Sequence, residues 1–242
     1  MNQTPGVSRT KTLVTISILA IILALQSLAQ TTNQVLSLDG SGDYVSIPNA
    51  ADLQNPTEIT VEAWIYPQNT DQCQFIVKGD NASGDSQRSY DMTWGNIIGG
   101  KPGVAFEMFL GATTYATVGV PLPVTNWTHV AVTYASAAGL LQLYTNGVLA
   151  VTTNRTTGGA QSLAGLTVRQ TTFPLNIGGQ PMIPGVQYSG GFAAGSLDEV
   201  RIWSRARSAE EIQASKSCRL SGSEPGLAGY WNFDAGAATD VT

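Results

Sequence analysis

From Gln34 onward the sequence is cut into short runs of β-branched and aromatic residues by clusters of Gly, Pro, Asn and Asp, and almost nothing in it holds a helical period over ten residues. Each run is long enough for a strand and each cluster can turn the chain, so the punctuation admits an antiparallel β-sandwich or jelly roll. Strands are expected at Gln34–Leu38, Tyr44–Ile47, Glu58–Tyr66, Gln74–Lys78, Arg88–Trp94, Val104–Leu110, Thr113–Val118, Trp127–Ala135, Leu140–Thr145, Val148–Thr153, Leu175–Ile177, Ser196–Trp203 and Leu227–Phe233. Composition agrees: 26 Gly and 12% charged residues in 242 suit a turn-rich chain, and 43% hydrophobic residues are too many for a disordered one.

Three local signals are sharper. Asn146-Gly147 lies between two strand-like runs, and both residues tolerate positive φ, which predicts a type I′ hairpin. In Glu58–Tyr66 the alternation places Ile59, Val61, Ala63 and Ile65 on a core face, and Glu58, Thr60 and Glu62 on a face read as solvated. Ser208 followed by Glu211 forms a capping box, so one short helix is expected to end near Ala214–Ser217, with Ile212 touching the sheet.

Residues 1–29 read as a secretory signal peptide. Arg9 and Lys11 supply the basic region, Thr12–Leu25 the apolar one, and Ser27 and Ala29 the small residues before a cut after Ala29. The apolar stretch is too short and too interrupted for a comfortable span, so no membrane span is expected in the mature chain. Export makes pairing of Cys73 with Cys218, the only two cysteines, an expectation, with two buried thiols as the alternative. Twelve basic against 17 acidic residues, with no basic stripe, make nucleic acid and anionic lipid poor partners; calcium or neutral polymers fit better. Asn81, Asn126 and Asn154 begin glycosylation sequons.

Most catalytic chemistries lack their residues. His129 is the only histidine and lies inside a strand-like run, where a structural role is expected, and no zinc, nucleotide or EF-hand pattern occurs. Glu58 and Glu62 share a face, but residues four apart on a strand are separated by about 13 Å. Glycoside hydrolysis needs carboxyls about 5–9.5 Å apart, and the intermediate position is Thr60. The Asp39–Asp43 turn could offer hard oxygen ligands to calcium, although Asp and Gly make turns without an ion. Trp94, Tyr90, Tyr115 and Tyr188 lie in or beside Gly-rich segments, where they could stack on sugar rings or fill the core; Trp64, Trp203 and Trp231 are read as packing.

Five segments in order, Leu36–Val45, Ile59–Ile65, Trp127–Tyr134, Tyr144–Gly147 and Leu197–Ile212, resemble the LamG-like (laminin G domain 3) family over Gln34–Phe233. The resemblance implies an all-β, concanavalin A-like jelly-roll sandwich of two antiparallel sheets. It also implies a structural calcium near the first and last strands, for which the matching residues here are Asp39 and Asp198. Beta-glucanases of the laminarinase type share the fold and carry alternating acids on a catalytic strand, a pattern this chain breaks at Thr60, so fold kinship does not bring activity with it. The expectation is a non-catalytic, secreted or surface recognition module that binds a glycan or an extracellular protein. A structural spacer of a larger surface protein is the alternative, and a hydrolase ranks last. Residues 234–242 read as a tail leading towards a possible further module.

Overall fold

The computed structural model of the protein describes residues 33–80, 87–111, 114–180, 191–236 and 240–242. The expected signal peptide and Tyr188 lie outside the described residues. Gln34–Thr242 form one compact unit of two antiparallel sheets. The first sheet runs β1 (Leu36–Asp39), β12 (Ala194–Trp203), β3 (Glu58–Pro67), β8 (Thr128–Ala135), β9 (Leu140–Thr145) and β10 (Val148–Thr153). A further strand, β13 (Leu227–Trp231), pairs with β12 at Val200–Trp203, beyond the stretch that β1 occupies on the same flank. The second sheet runs β2 (Val45–Ile47), β11 (Leu175–Ile177), β4 (Cys73–Gly79), β5 (Arg88–Ile98), β6 (Lys101–Phe109) and β7 (Tyr115–Pro121).

Every expected strand forms, and the differences are at the ends. The largest is in the β5–β6 hairpin, which extends to Ile98 and resumes at Lys101. Gly99 and Gly100 take φ of 59° and 76°, so a tight turn carries the ladder past Asn96–Ile98, where no alternation signals a strand. Ile59, Val61, Ala63 and Ile65 are all at most 1% exposed and pack against Phe75, Met92, Trp94 and Phe106 of the facing sheet. Asn146 and Gly147 take φ of 52° and 81°, as the hairpin requires, and the Asn146 side chain accepts from the His129 amide at 3.0 Å. The described end of the expected tail returns to the sheet, where the Val241 amide donates to the Tyr230 carbonyl at 2.9 Å. No helix among the described residues is long and apolar enough to cross a membrane.

The helix α1 (Ala209–Ser215) has its capping box, with the Ser208 amide donating to Glu211 at 2.9 Å and Ser208 Oγ accepting from the Glu211 amide. Ile212 is buried against Ala131 and Tyr144 on the outer face of the first sheet. The helix therefore roofs the face of β3 read as solvated, and this corrects that reading: Glu62 is fully buried. Glu62 Oε1 accepts from Trp203 Nε1 and from Arg207 Nη1, both at 2.7 Å, and Oε2 lies 3.3 Å from His129 Nε2. Arg207 continues to the Glu211 carbonyl and the Ser215 hydroxyl, and its guanidinium stands 4.1 Å from the Trp203 ring. Thr60 accepts from the Arg207 amide and donates to the Arg205 carbonyl, so the residue that interrupts the acid pattern anchors the segment entering the helix.

Burial pushes the Glu62 carboxyl up, but His129, Arg201 and Arg207 together outweigh it and hold the group below the ordinary glutamate value of 4.5. Its stabilising contribution is thus present above that pH and is lost as pH falls below it. Removing one partner of a buried ion pair costs about 3–5 kcal/mol. Arg207→Ala is accordingly expected to lower the unfolding free energy in urea by about that amount, and Glu62→Gln to flatten the acid limb of a melting-temperature profile.

Candidate functional site

The structure places β1 beside β12, as the resemblance implied, but it does not bring Asp39 and Asp198 together. Asp39 stands opposite Ala194, four residues along β12 from Asp198, a separation of about 13 Å. Carboxylates sharing one calcium must each lie within about 2.6 Å of it, so this pair does not fit a shared ion. Asp39 instead accepts from the Ser41 amide within its turn, and Asp198 from the Glu199 amide at the bulge where Glu199 has φ 53°. Among the described residues no three His, Cys, Asp or Glu side chains are gathered as a metal ion would need.

The expected disulfide is also corrected, because both cysteines are free. Cys73 is in the core between the sheets, whereas Cys218 is exposed just after α1, where its thiol faces the Ala214 carbonyl. The first sheet separates them, a relation that export and cysteine count cannot reveal. Burial pushes the Cys73 thiol well above its ordinary range. Tyr90 and Trp94 fill the core, stacked on Phe106 and Phe75 with ring centroids 5.8 and 4.9 Å apart, so they are not rim aromatics. Tyr115 is half-buried against Phe109. Trp203 and Trp231 pack as expected, and Trp64 is held by its Nε1, which donates to the Lys216 carbonyl at 2.7 Å. His129 is buried and structural, facing Glu62.

The outer face of the second sheet was not singled out by the sequence reading. In β5 and β6 the core residues Tyr90, Met92, Phe106 and Met108 alternate with Asp91, Thr93, Ala105 and Glu107, which must point away from the core. That alternation was the available signal. Register aligns Asn176, Val77, Asp91, Glu107 and Thr117 in one row across five strands. Phe109 and Tyr115 form the neighbouring row on one side, and Thr93, Ala105 and Gly119 the row on the other.

Asp91 is fully buried; its Oδ2 accepts from Arg88 Nη1 at 2.7 Å and its Oδ1 from the Thr93 hydroxyl at 3.0 Å. The Arg88 guanidinium also lies 3.8 Å from Glu107 and 4.3 Å from the centre of the Phe109 ring. Glu107, Thr117, Ala105 and Gly119 are half-exposed, so solvent reaches a carboxylate and a hydroxyl, with Ile98 packed over Gly119. Burial chiefly, opposed by Arg88 and reinforced by Glu107, pushes Asp91 up to about 7. Hydrolysis of a glycoside needs two carboxyls at the substrate, and here only Glu107 reaches the surface of the row, while Glu62 is sealed beneath α1. The arrangement can hold hydroxyl groups in fixed directions, which is binding chemistry.

Two measurements check this geometry. A carboxyl raised on folding keeps its proton where the unfolded chain has lost it, so stability falls as pH rises from about 4 towards 7. Asp91→Asn is expected to remove that part of the slope in melting curves. A thiol reagent is expected to label one cysteine in the native protein and two in denaturant, with no disulfide in the intact mass.

A family model described as the concanavalin A-like lectin/glucanases superfamily (Laminin_G_3) matches residues 39–213. No curated protein matches the chain. Among solved structures, a Bacteroides ovatus protein described as carbohydrate binding is 20% identical with a TM-score of 0.60, over 82% of this chain and 52% of that one. The chain thus spans about half the length of that protein. The binding domain of botulinum neurotoxin serotype C1 is 13% identical with a TM-score of 0.51, over 77% of this chain and 44% of that one. At these identities the likeness is one of fold. Two antiparallel sheets, the helix-capped motif on β12 and the match over most of the folded unit lead to one conclusion: the chain belongs to the Laminin_G_3 family of the concanavalin A-like lectin/glucanases superfamily.

Proposed function

We propose that the chain is a non-catalytic glycan-recognition module of an exported protein, which binds through the outer face of the second sheet. The observation that carries this reading is the row Asp91–Glu107–Thr117. A buried carboxylate, Asp91, holds Arg88 beside the Glu107 carboxylate, and the Thr117 hydroxyl takes a hydrogen bond from the Thr157 hydroxyl at 3.2 Å; solvent reaches both Glu107 and Thr117. Sugar hydroxyls donate to carboxylates and exchange hydrogen bonds with hydroxyls, and groups ordered before binding lose little entropy on contact. Ile98 packs over Gly119 beside Ala105, and Tyr115 borders the row with a half-exposed ring. The fold shared with a Bacteroides ovatus protein described as carbohydrate binding supports this reading, as does the leader-like sequence of residues 1–29, which favours export.

The test is retention of the full chain on immobilised polysaccharides across a broad panel, together with an assay for reducing ends. Saturable retention on at least one glycan without release of sugar is expected, and Glu107→Gln with Thr117→Ala should weaken it about tenfold or more at an unchanged melting temperature. Uniformly flat titrations would leave a structural spacer, and release of reducing sugar would make the chain an enzyme; either result overturns the reading.

A further inference from the structure

The helix α1 roofs only part of the first sheet. Ile212 covers Ala131 and Tyr144, and the Lys216 carbonyl at the helix end holds Trp64. Two residues further along β3 from Trp64 the cover stops. Tyr66 is half-buried there, and Trp127, just before β8, is 37% exposed. Their rings meet with centroids 5.5 Å apart at 47°. Trp127 lies on the opposite side of the chain from Val130 and Val132, which enter the core, so its ring stands on the outer face.

Register extends the pair into a row. Ser196 of β12 stands opposite both Tyr66 and Ser37, which gives Ser37, Ser196, Tyr66 and Trp127 in sequence across the sheet. Asp39 and Ala194 form the next row. Leu36 and Leu38 face the core, so Ser37 and Asp39 point outward, and both are exposed. An open aromatic pair, two hydroxyls and a carboxylate beside a small residue thus lie on one face of the sheet. The core and the helix network absorb Trp94, Trp203 and Trp231, and Trp64 is tied by its indole nitrogen, whereas among the described aromatic rings Trp127 engages Tyr66 alone.

We propose that this open half of the first sheet is a second glycan site, in which Trp127 and Tyr66 stack a neutral sugar ring and Ser196, Ser37 and Asp39 hold its hydroxyls. The inference rests on the reading of the chain as a glycan-recognition module and adds a face that reading does not use. The C–H face of a pyranose packs on an aromatic ring, and two rings inclined to each other supply a floor and a wall. The charged group on these rows is an acid, which accepts from sugar hydroxyls and repels uronates, sialic acids and sulfated sugars. With the row on the second sheet, the sandwich would hold ligand on both outer faces, so a single chain could bridge two glycan strands and gain retention by avidity.

Affinity electrophoresis of the full chain in gels containing β-glucan, xylan, galactan or mannan, with polygalacturonate and heparin as charged controls, tests the site. Trp127→Ala and Tyr66→Ala are expected to weaken retention on a neutral polysaccharide by about tenfold at an unchanged melting temperature. Glu107→Gln should leave that component in place. Retention of both aromatic variants equal to that of the unaltered chain overturns this site and leaves the module reading standing. Absence of retention of the unaltered chain on every polysaccharide overturns both. Should Trp127→Ala fail to fold, acrylamide quenching of the unaltered chain decides the matter. The most exposed tryptophan is expected to be shielded saturably by oligosaccharides of the retained polymer, and unchanged quenching at saturating polymer overturns the proposal.

Discussion

The carboxylate of Glu62 governs how this molecule is assembled. A buried charge without partners would be too costly to keep, and the groups that lower the cost of this one come from three segments: Arg201 and Trp203 on β12, Arg207 just before α1, and His129 on β8. The motif from Asp198 to Ile212 is therefore a clamp. Glu199 takes the Tyr230 hydroxyl and pairs with Arg201, Arg201 reaches the Ser215 and Cys218 carbonyls, and Arg205 grips Glu211 through two hydrogen bonds. These contacts lock the helix onto one half of the first sheet and leave Trp127 and part of Tyr66 at the surface of the other half.

The same clamp decides what the acids of β3 are free to do. An acid pair that cleaves a glycoside must be reachable and closely spaced. Here one acid of β3 is consumed by the clamp, the position two residues before it is a threonine that holds the clamp's entry, and the second-sheet pair has one buried member engaged with Arg88. Glu62 and Asp91 are thus committed to structure, while Glu107 and Asp39 stay at the surface, where a carboxylate is suited to holding a ligand. The outer faces of the two sheets differ accordingly: one offers the Glu107 carboxylate and the Thr117 hydroxyl, the other an aromatic pair beside hydroxyls.

Much of this was legible before any coordinates. All thirteen strands, the Asn146-Gly147 hairpin, the Ser208–Glu211 capping box and the core set of β3 follow from local rules, because turn chemistry and two-residue alternation act over a few neighbours. Alternation also assigns each side chain to a face, and Glu107 and Trp127 could have been found that way. It does not say what lies over the face. Glu62 looks solvated in sequence because nothing near β3 announces that a helix some 150 residues later will cover it. Tyr90 and Trp94 sit among glycines in sequence and in the core in space.

The amino-acid sequence by itself determined the fold class, the succession of strands along the chain and the helix α1, since these are set by short-range periodicity, capping and turns. Tertiary structure alone decided which polar residues are buried, that Cys73 and Cys218 stand on opposite sides of the first sheet, and that Asp39 and Asp198 share a strand pair yet lie four residues apart in register. The physical reason is that strand pairing fixes distance by register and burial by what packs on the outer face. Both depend on contacts between segments far apart in the chain, which no local pattern encodes.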